Sequence, residues 1–460
     1  IKNKKKIELN IKKFKDNHFH LNRSDEYDNA VKDINDYIVS KIIEFKYKSK
    51  FKKINYYNHK KKISIQQKKF SYLKYIFFSF FSKFSSNKKI FYGLNFHNSI
   101  ISFIILNLKK FQLPIFYFEK KMTEKSSYDK HVRNYIFRKN NKKDFLQFCR
   151  TEVSLLLPKS FLEDFKILKN TINSSYFPQK TKKILTSLNY RKNDFFQTWC
   201  AEQRLKGSKY FIFQHGGGYG YSDYLLDENY VNKISDKFLT WGWKKKSNKY
   251  KKFFCTKISY KFKHSPKYSS NILLNLHTYP RYSFRPVSKF KTNFDRLQNI
   301  ENFKNLSNNI KNFNLTIRYL SRLNKEYDIP PFEKFFKKDI NFDLGQKSFL
   351  KTLNNYNLVV HDCFETTFLE TVAYNIPTIV LTKNFKNQIN RNFFKDFQNL
   401  KKIKVIHEDH SSICKMLNEK NFSIKKWWFE ENNQYILNRF RQKFVKRSNN
   451  LHNDVCKLVD

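Results

Sequence analysis

Short apolar runs alternate with longer amphipathic segments along most of the chain after residue 90. Short runs bounded by polar residues are typical of buried strands, and apolar positions three or four apart are typical of helices. The runs predict strands at Phe91–Phe96, Pro114–Phe118, Lys183–Ser187, Tyr210–Gln214, Phe238–Trp241, Asn271–His277, Leu315–Tyr319, Leu358–His361, Pro377–Leu381 and Lys404–His407. Strands at this spacing with helices between them indicate an α/β fold with parallel sheets covered on both faces.

The intervening segments predict helices with recognisable ends. Gly207 stands two residues after the predicted helix Asp194–Leu205, where a glycine commonly ends a helix. Further helices are predicted at Ile101–Lys110, Thr366–Tyr374 and Ser411–Leu417, and one or two long helices between residues 425 and 458.

A domain boundary is predicted near residues 222–236, after a glycine cluster and before a fresh strand. The second sheet would then run from about residue 237 to residue 424, and the C-terminal helices would pack back across the first domain. The predicted regions are a basic aromatic N-terminal region (1–90), two α/β domains (91–235 and 236–424) and C-terminal helices (425–460).

The composition is strongly basic, with 91 Lys and Arg against 39 Asp and Glu and a net charge of +52. Of these, 76 are Lys and 15 are Arg, and the chain has 8 Gly. Enrichment in Lys, Asn, Ile, Phe and Tyr follows AT-rich codons, so mutational bias explains much of the charge. A position that keeps Gly or Arg in such a chain is therefore expected to need it.

Two partners could still exploit the charge. Nucleic acid is disfavoured, because no recognised binding module is present and Lys is spread throughout. Residues 46–90 hold 14 Lys, no acid and the aromatic run Tyr72–Phe81. This segment could bind an anionic membrane surface. The competing interpretation is a core helix whose lysines lie on its solvent-exposed face. Six Cys without a CxxC pair suit the reducing cytosol, so a cytoplasmic location is expected, with possible peripheral attachment to the inner face of the membrane.

The first candidate site is Gln214-His215-Gly216-Gly217-Gly218-Tyr219-Gly220, which contains four of the eight glycines. A nearly Cβ-free loop after a strand can bring backbone N–H groups close to an anion. It would lie at the carboxyl end of a parallel strand, where α/β folds bind ligands. His215 adds a proton donor or acceptor. The alternative is a tight turn with a buried histidine.

The second candidate site runs from Val359 to Thr378, where a strand ends and a helix begins near Thr366. The free N–H groups at a helix start bind phosphate, and Thr366 and Thr367 could add hydroxyl donors. Glu370 could accept hydrogen bonds from a ribose. The alternative is a capping box formed by Thr367 and Glu370, which needs no ligand.

Together, QHGGGYG, DKFLTWGW (Asp236–Trp243) and ETTFLETVAYNIPT resemble the transferases of bacterial surface-carbohydrate and O-antigen loci. That family looks like a GT-B-type glycosyltransferase and is distantly similar to capsule Kdo transferases, teichoic-acid polymerases and sugar-nucleotide 2-epimerases. The resemblance covers roughly residues 145–440. The first 90 residues match poorly, and the chain begins without Met, which is compatible with a truncated N-terminus.

The resemblance implies two Rossmann-like domains facing a cleft. A nucleotide-sugar donor would bind the C-terminal domain at Thr366, Thr367 and Glu370, and a glycan or lipid-linked acceptor would approach from Gln214, Gly216, Gly217, Gly218 and Gly220. The expected reaction is sugar transfer to an O-antigen or capsule acceptor. The alternatives are a sugar-nucleotide epimerase, or a basic protein that binds nucleic acid or membrane without catalysis.

Sugar transfer must stabilise a departing phosphate, with a metal or with cationic and helix-end donors. No Asp-x-Asp pair is present, so no metal and no cofactor are expected, the nucleotide-sugar being the substrate. Arg281 and Arg318 follow predicted strands and are candidate phosphate clamps, the alternative being surface arginines. His215 is the first candidate for the general base or leaving-group contact, and Glu202 the second, although Glu202 also fits a solvated helix face. His407-Glu408-Asp409-His410 lacks the HExxH helical spacing, so a metal site there is disfavoured.

Overall fold

The computed structural model describes residues 88–114, 126–136, 144–191, 193–222, 225–258, 262–268, 270–277, 293–319, 336, 340–383 and 385–460. Three predictions lie outside them. These are nearly all of the basic N-terminal region, the strand at Pro114–Phe118 apart from Pro114, and Arg281.

The strands form two sheets. They are β1 Lys89–Phe91, β2 Lys183–Thr186, β3 Lys209–Phe213, β4 Lys237–Thr240, β5 Tyr250–Lys252, β6 Asn271–Asn275, β7 Asn314–Arg318, β8 Asn341–Asp343, β9 Leu358–His361, β10 Thr378–Leu381 and β11 Ile406–His407. The first sheet has the order β1-β2-β3-β4-β5 and the second the order β11-β10-β9-β6-β7-β8. With helices between the strands, the predicted α/β fold class is confirmed.

All neighbouring strands of the second sheet pair in parallel. Its central strands β9 and β10 are buried at every position, which explains their uninterrupted apolar sequences. The chain moves outward from β6 to β8 and then returns to the other side of β6 as β9. The junction of β6 and β9 is therefore a topological switch point, at whose carboxyl edge open α/β sheets bind ligands.

Helices connect most of the strands. They are α1 Ser99–Leu108, α2 Lys130–Ile136, α3 Phe145–Leu156, α4 Phe165–Asn173, α5 Asp194–Leu205, α6 Leu226–Ile234, α7 Asn293–Asn309, α8 Phe349–Thr352, α9 Thr366–Ala373, α10 Phe394–Lys402, α11 His410–Asn418, α12 Ile424–Phe429, α13 Glu431–Phe444 and α14 Leu451–Val459. The bounds of α5 match the prediction, because Asn193 accepts a hydrogen bond from the Phe196 amide at one end and Gly207 adopts φ 93° beyond the other.

Two predictions about organisation are wrong. The second sheet does not begin near residue 237, because β4 pairs with β3 and β5 pairs with β4; it begins at Asn271. The tail contains three helices, α12 to α14, in place of one or two, because Glu430 and the segment 445–450 interrupt it. The domain limits given above stay a prediction.

Contacts divide the described residues into two compact units, one drawn from residues 88–93, 107–184 and 188–209, and one from residues 94–106, 185–187 and 210–460. In the first unit, the buried guanidinium of Arg133 donates to both carboxylate oxygens of Glu163 at 2.7 and 2.8 Å. It also donates to the backbone carbonyls of Ser154 and Leu157. A buried charge with this many partners is structural, and it shows why the chain keeps an arginine there.

The C-terminal helices pack onto earlier parts of the second compact unit. Their packing across the predicted first domain stays a prediction. Phe440 and Phe444 of α13 contact Phe397 of α10, with ring centroids 5.3 and 5.6 Å away. The backbone of Lys446 donates to Trp241 at 2.8 Å and accepts from Cys255 at 2.7 Å. Within the described ranges, no helix has the length and apolar content needed to cross a membrane.

Candidate functional site

The glycine loop, residues 214–220, is anchored by the fully buried side chain of Gln214. Its amide oxygen accepts hydrogen bonds from the Trp241 backbone at 2.9 Å and from the Trp243 indole at 2.8 Å, and its amide nitrogen donates to the Gly216 carbonyl at 2.8 Å. The amide is thereby engaged at both ends. Gln214 therefore holds the loop in place. This structural role explains the buried glutamine without a contact between its side chain and a ligand.

The glycines of the loop serve two physical purposes. Gly218 and Gly220 have φ values of 85° and 87°, which L side chains rarely adopt. A Cβ on Gly220 would also lie 2.6 Å from the Trp243 ring. The Gly220 amide donates to Glu228 at 2.8 Å, so the end of the loop is fixed as firmly as its start.

Gly216 and Gly217 instead allow the loop to approach the start of α9. The Gly217 amide donates to the Thr366 hydroxyl at 2.8 Å. A Cβ on Gly217 would lie 2.7 Å from both the Glu365 carbonyl carbon and the Thr366 nitrogen, closer than real Cβ contacts allow. The two candidate sites of the sequence are therefore joined directly, within one compact unit.

The start of α9 has no capping box. Glu365 is the N-cap residue, and its side chain makes no capping hydrogen bond. Thr367 lies inside the helix, where its hydroxyl accepts from the Asn275 amide at 3.1 Å. Because the N-cap side chain does not cap the first turn, the amides there suit an anion.

His361 ties α9 to the switch point of the second sheet. Thr371 donates its hydroxyl hydrogen to the Phe368 carbonyl, so it can only accept from His361 Nε2 at 3.2 Å. His361 Nδ1 then accepts from the Asn275 amide at 3.2 Å. Burial lowers the pKa of His361 to about 3, so the ring is neutral and bridges β6, β9 and α9.

Glu370 and Lys257 form a charged pair beside the first turn of α9. Lys257 Nζ lies 3.9 Å from Glu370 Oε1, and their side chains are 30% and 18% exposed. Burial raises the pKa of Glu370, and the nearby ammonium opposes that effect. At 3.9 Å the ion pair is too long for a hydrogen bond, so the ammonium keeps its donors for other groups.

His215, within the glycine loop, is held in place by its backbone and its ring. Its carbonyl accepts from the Asn95 amide at 3.2 Å, and its Nδ1 lies 3.4 Å from the Tyr219 hydroxyl. Asn95 belongs to the same short segment as His97, whose backbone amide donates to the Thr256 carbonyl at 2.9 Å. Lys257 directly follows Thr256 in the sequence, so this segment also contacts the backbone next to Lys257.

The sequence matches the model of the LIC12162 family transferases over residues 1–458. The chain belongs to this family. It is therefore a transferase, and the predicted resemblance to a transferase family is confirmed.

Comparisons with other proteins give weaker likenesses. The search of curated proteins found no significant match. Among solved structures, the spinosyn rhamnosyltransferase SpnG complexed with spinosyn aglycone has 8% identity and a TM-score of 0.36, covering 66% of this chain and 78% of that one. TarM has 10% identity and a TM-score of 0.35, covering 60% of this chain and 54% of that one.

Two further predicted site residues of this transferase have structural partners. Arg318 is buried, forms an ion pair with Asp343 and donates to the Lys347 carbonyl at 2.8 Å. Glu202 lies in the first compact unit, 3.4 Å from Lys169 Nζ. Their roles in phosphate binding and proton transfer stay predictions, and Arg281 lies outside the described residues.

Sequence reasoning missed Lys257, Asn95 and Asn275. Asn275 lies near the end of the predicted strand Asn271–His277, so its position close to a carboxyl edge was available as a signal. Lys257 carries no such signal in a chain with 76 lysines. His407, from the disfavoured metal motif, contacts the Ser412 hydroxyl and the Lys404 carbonyl, and the described residues contain no group of His, Cys, Asp or Glu that could hold a metal ion.

We expect Gly217→Ala to destabilise the transferase by about 1–3 kcal/mol, because its methyl group would press on the backbone of Glu365 and Thr366. Gly216→Ala is the matched control, since its Cβ would meet only the Thr366 hydroxyl, at 3.1 Å. Urea unfolding measures both. Equal stability losses at the two positions would contradict the close approach described here.

His361 predicts a loss of stability in acid. The unfolded chain takes up a proton near pH 6.5, whereas the folded ring resists it down to about pH 3. This residue's share of the free energy of unfolding should therefore fall by about 2 kcal/mol between pH 7 and pH 5. Urea unfolding of His361→Gln should lack that share of the pH dependence, and replacement of the exposed His131 should keep it; equal pH slopes in the wild type and His361→Gln would refute the assignment.

Proposed function

We propose that this transferase moves a glycosyl group from a nucleotide-sugar donor to a surface-polysaccharide acceptor, without a metal ion. The observation that carries the proposal is the contact between the glycine loop and the start of α9, beside a switch point and the Lys257–Glu370 pair. Membership of a transferase family supports group transfer in general. The GT-B arrangement, with two domains facing a cleft, is part of the proposal.

The donor's phosphates would bind the first turn of α9. The backbone N–H groups there and the Thr366 and Thr367 hydroxyls are donors for phosphate oxygens. As the sugar departs, negative charge grows on the leaving phosphate, and a nearby cation lowers the energy of that state. Lys257 would supply this cation, since its ammonium is partly exposed and only loosely paired.

Glu370 would accept hydrogen bonds from the ribose of the nucleotide. Burial raises its pKa, which favours the protonated form, and Lys257 acts in the opposite direction. A bound ribose whose hydroxyls donate to the carboxylate would favour the ionised form further. Glu370 and Lys257 would thus bind adjoining parts of one nucleotide.

His215 would take the proton from the acceptor hydroxyl as that oxygen attacks the sugar. Nδ1 lies next to the Tyr219 hydroxyl, which would orient the ring and leave Nε2 as the accepting atom. The new bond joins the acceptor oxygen to the anomeric carbon, and the bond to the nucleotide's phosphate breaks.

The nature of the acceptor follows from the family resemblance in the sequence motifs. An O-antigen or capsule glycan, free or lipid-linked, is the acceptor we propose. Transfer would take place in the cytoplasm, with peripheral attachment to the inner membrane face through the basic N-terminal region. Deleting residues 46–90 and measuring vesicle flotation would separate this attachment from catalysis.

A nucleotide panel tests the donor site. We expect one of CMP, CDP, UDP, GDP and dTDP to raise the melting temperature, since a ligand at 100 times its Kd stabilises the folded state by about 2.7 kcal/mol. Lys257→Met should weaken binding of that nucleotide about tenfold or more and weaken binding of the corresponding nucleoside far less.

Lys443→Met is the matched control for this panel. Lys443 pairs with Asp396 at 2.6 Å, with side chains 38% and 25% exposed, close to the exposure of the Lys257–Glu370 pair. The Lys443→Met variant should be less stable than the wild type but should bind the nucleotide with unchanged affinity. The proposal fails if no nucleotide stabilises the protein, or if the two variants lose affinity equally.

A further inference from the structure

A basic groove lies between α10 and α13, and none of the residues assigned to donor binding lines it. Two cavities of about 830 and 840 Å³ share Asp396, Tyr435, Arg439 and Lys443. Both are lined by residues of the second compact unit alone. The shared residues make them one continuous groove, called here the α10–α13 groove, and each half has the size of a small-molecule site.

The charge of the groove exceeds the background of this basic chain. Nine of its 24 lining residues are Lys or Arg and two are acidic, against 91 basic residues in 460 overall. The acids are already engaged: Asp396 pairs with Lys443, and Glu430 accepts from the Asn433 amide. Within the described ranges, exposed Lys395, Lys402 and Arg439 form no ion pair, so the groove suits an anion.

The uncharged lining complements a sugar. Tyr435 is 59% exposed at the junction of the two cavities, and the Arg439 guanidinium donates to its hydroxyl at 3.2 Å. Six further lining side chains are Asn or Gln amides, which offer both donors and acceptors to hydroxyl groups. An aromatic face, amides and cations together match a saccharide that carries negative charge.

Other anionic partners fit the groove less well. A membrane surface is broad, whereas this surface is concave and its exposed aromatic ring, Tyr435, stands within the groove. Single-stranded nucleic acid is bound on successive stacking platforms. Among the described lining residues, Tyr435 is the one aromatic ring that is mostly exposed.

We propose that the α10–α13 groove binds an acidic oligosaccharide, as the anchoring site for the chain that receives the transferred sugar. The assignment to an acceptor rests on the function proposed above, whereas binding of the saccharide does not. The groove would hold the glycan by its charged units while its growing end reaches the glycine loop.

Calorimetric titration without any nucleotide tests the groove on the full chain. The probes are a hexamer of galacturonic acid, a heparin hexasaccharide, the neutral maltohexaose, oligouridylate and phosphatidylglycerol vesicles. We expect an acidic saccharide to bind, maltohexaose to bind at least tenfold more weakly, and oligouridylate and vesicles to show no dependence on the groove.

Two variants of equal charge locate the binding. The groove variant combines Lys395→Gln, Lys402→Gln and Arg439→Gln and should lose affinity at least tenfold; Tyr435→Ala should also weaken binding. The control combines Lys311→Gln, Lys415→Gln and Lys457→Gln, all exposed and outside the groove, and should change affinity less than twofold.

The proposal is overturned if neither acidic saccharide binds. It is also overturned if the groove and control variants lose affinity equally, because binding would then reflect the net charge of the protein and not the groove. Groove-dependent binding of oligouridylate or vesicles with similar affinity would identify a nucleic-acid or membrane surface instead. Because the titration contains no nucleotide, its result does not depend on whether the proposed donor site is correct. Likewise, a groove that binds no saccharide would leave the proposed donor site untouched.

Discussion

The close approach of the glycine loop to the backbone of Glu365 and Thr366 is the constraint on which the site depends. It requires the absence of a Cβ at Gly217, whose amide then reaches the Thr366 hydroxyl. Gln214 and Glu228 fix the two ends of the loop, so its position is set independently of a ligand. The start of α9, the glycine loop and the histidine within it form one rigid arrangement.

The other end of α9 is held just as firmly. The guanidinium groups of Arg441 and Arg447 each lie 3.4 Å from a carbonyl of its last turn, those of Val372 and Ala373. Cations near a helix C-terminus are favourable, and burial beside Arg447 lowers the pKa of Arg441 to about 10. Phe440 of α13 packs against Phe368 of α9. The C-terminal helices therefore support the site although they lie far from it in sequence.

Local sequence patterns predicted local structure well. The bounds of α5 and β9 were predicted to the residue, because a polar cap, a glycine stop or a continuous apolar run marks each end. The scarcity of Arg and Gly in the chain was also informative. Arg133 and Arg318 each have several structural partners, and each glycine of the 214–220 loop is required by its backbone conformation or by a close contact. The sheet to which β4 belongs was predicted wrongly, since a strand's sequence does not encode its neighbour. Lys257 was missed because its importance arises from a long-range contact with Glu370.

A crystal structure with the best-bound nucleoside diphosphate would test the central claim most directly. The account predicts phosphate oxygens within hydrogen-bond distance of the first-turn amides of α9, with Lys257 Nζ turned from Glu370 toward them and the ribose beside Glu370. Phosphates bound in the α10–α13 groove, or a nucleotide that leaves the first turn of α9 and Lys257 without contact, would contradict it.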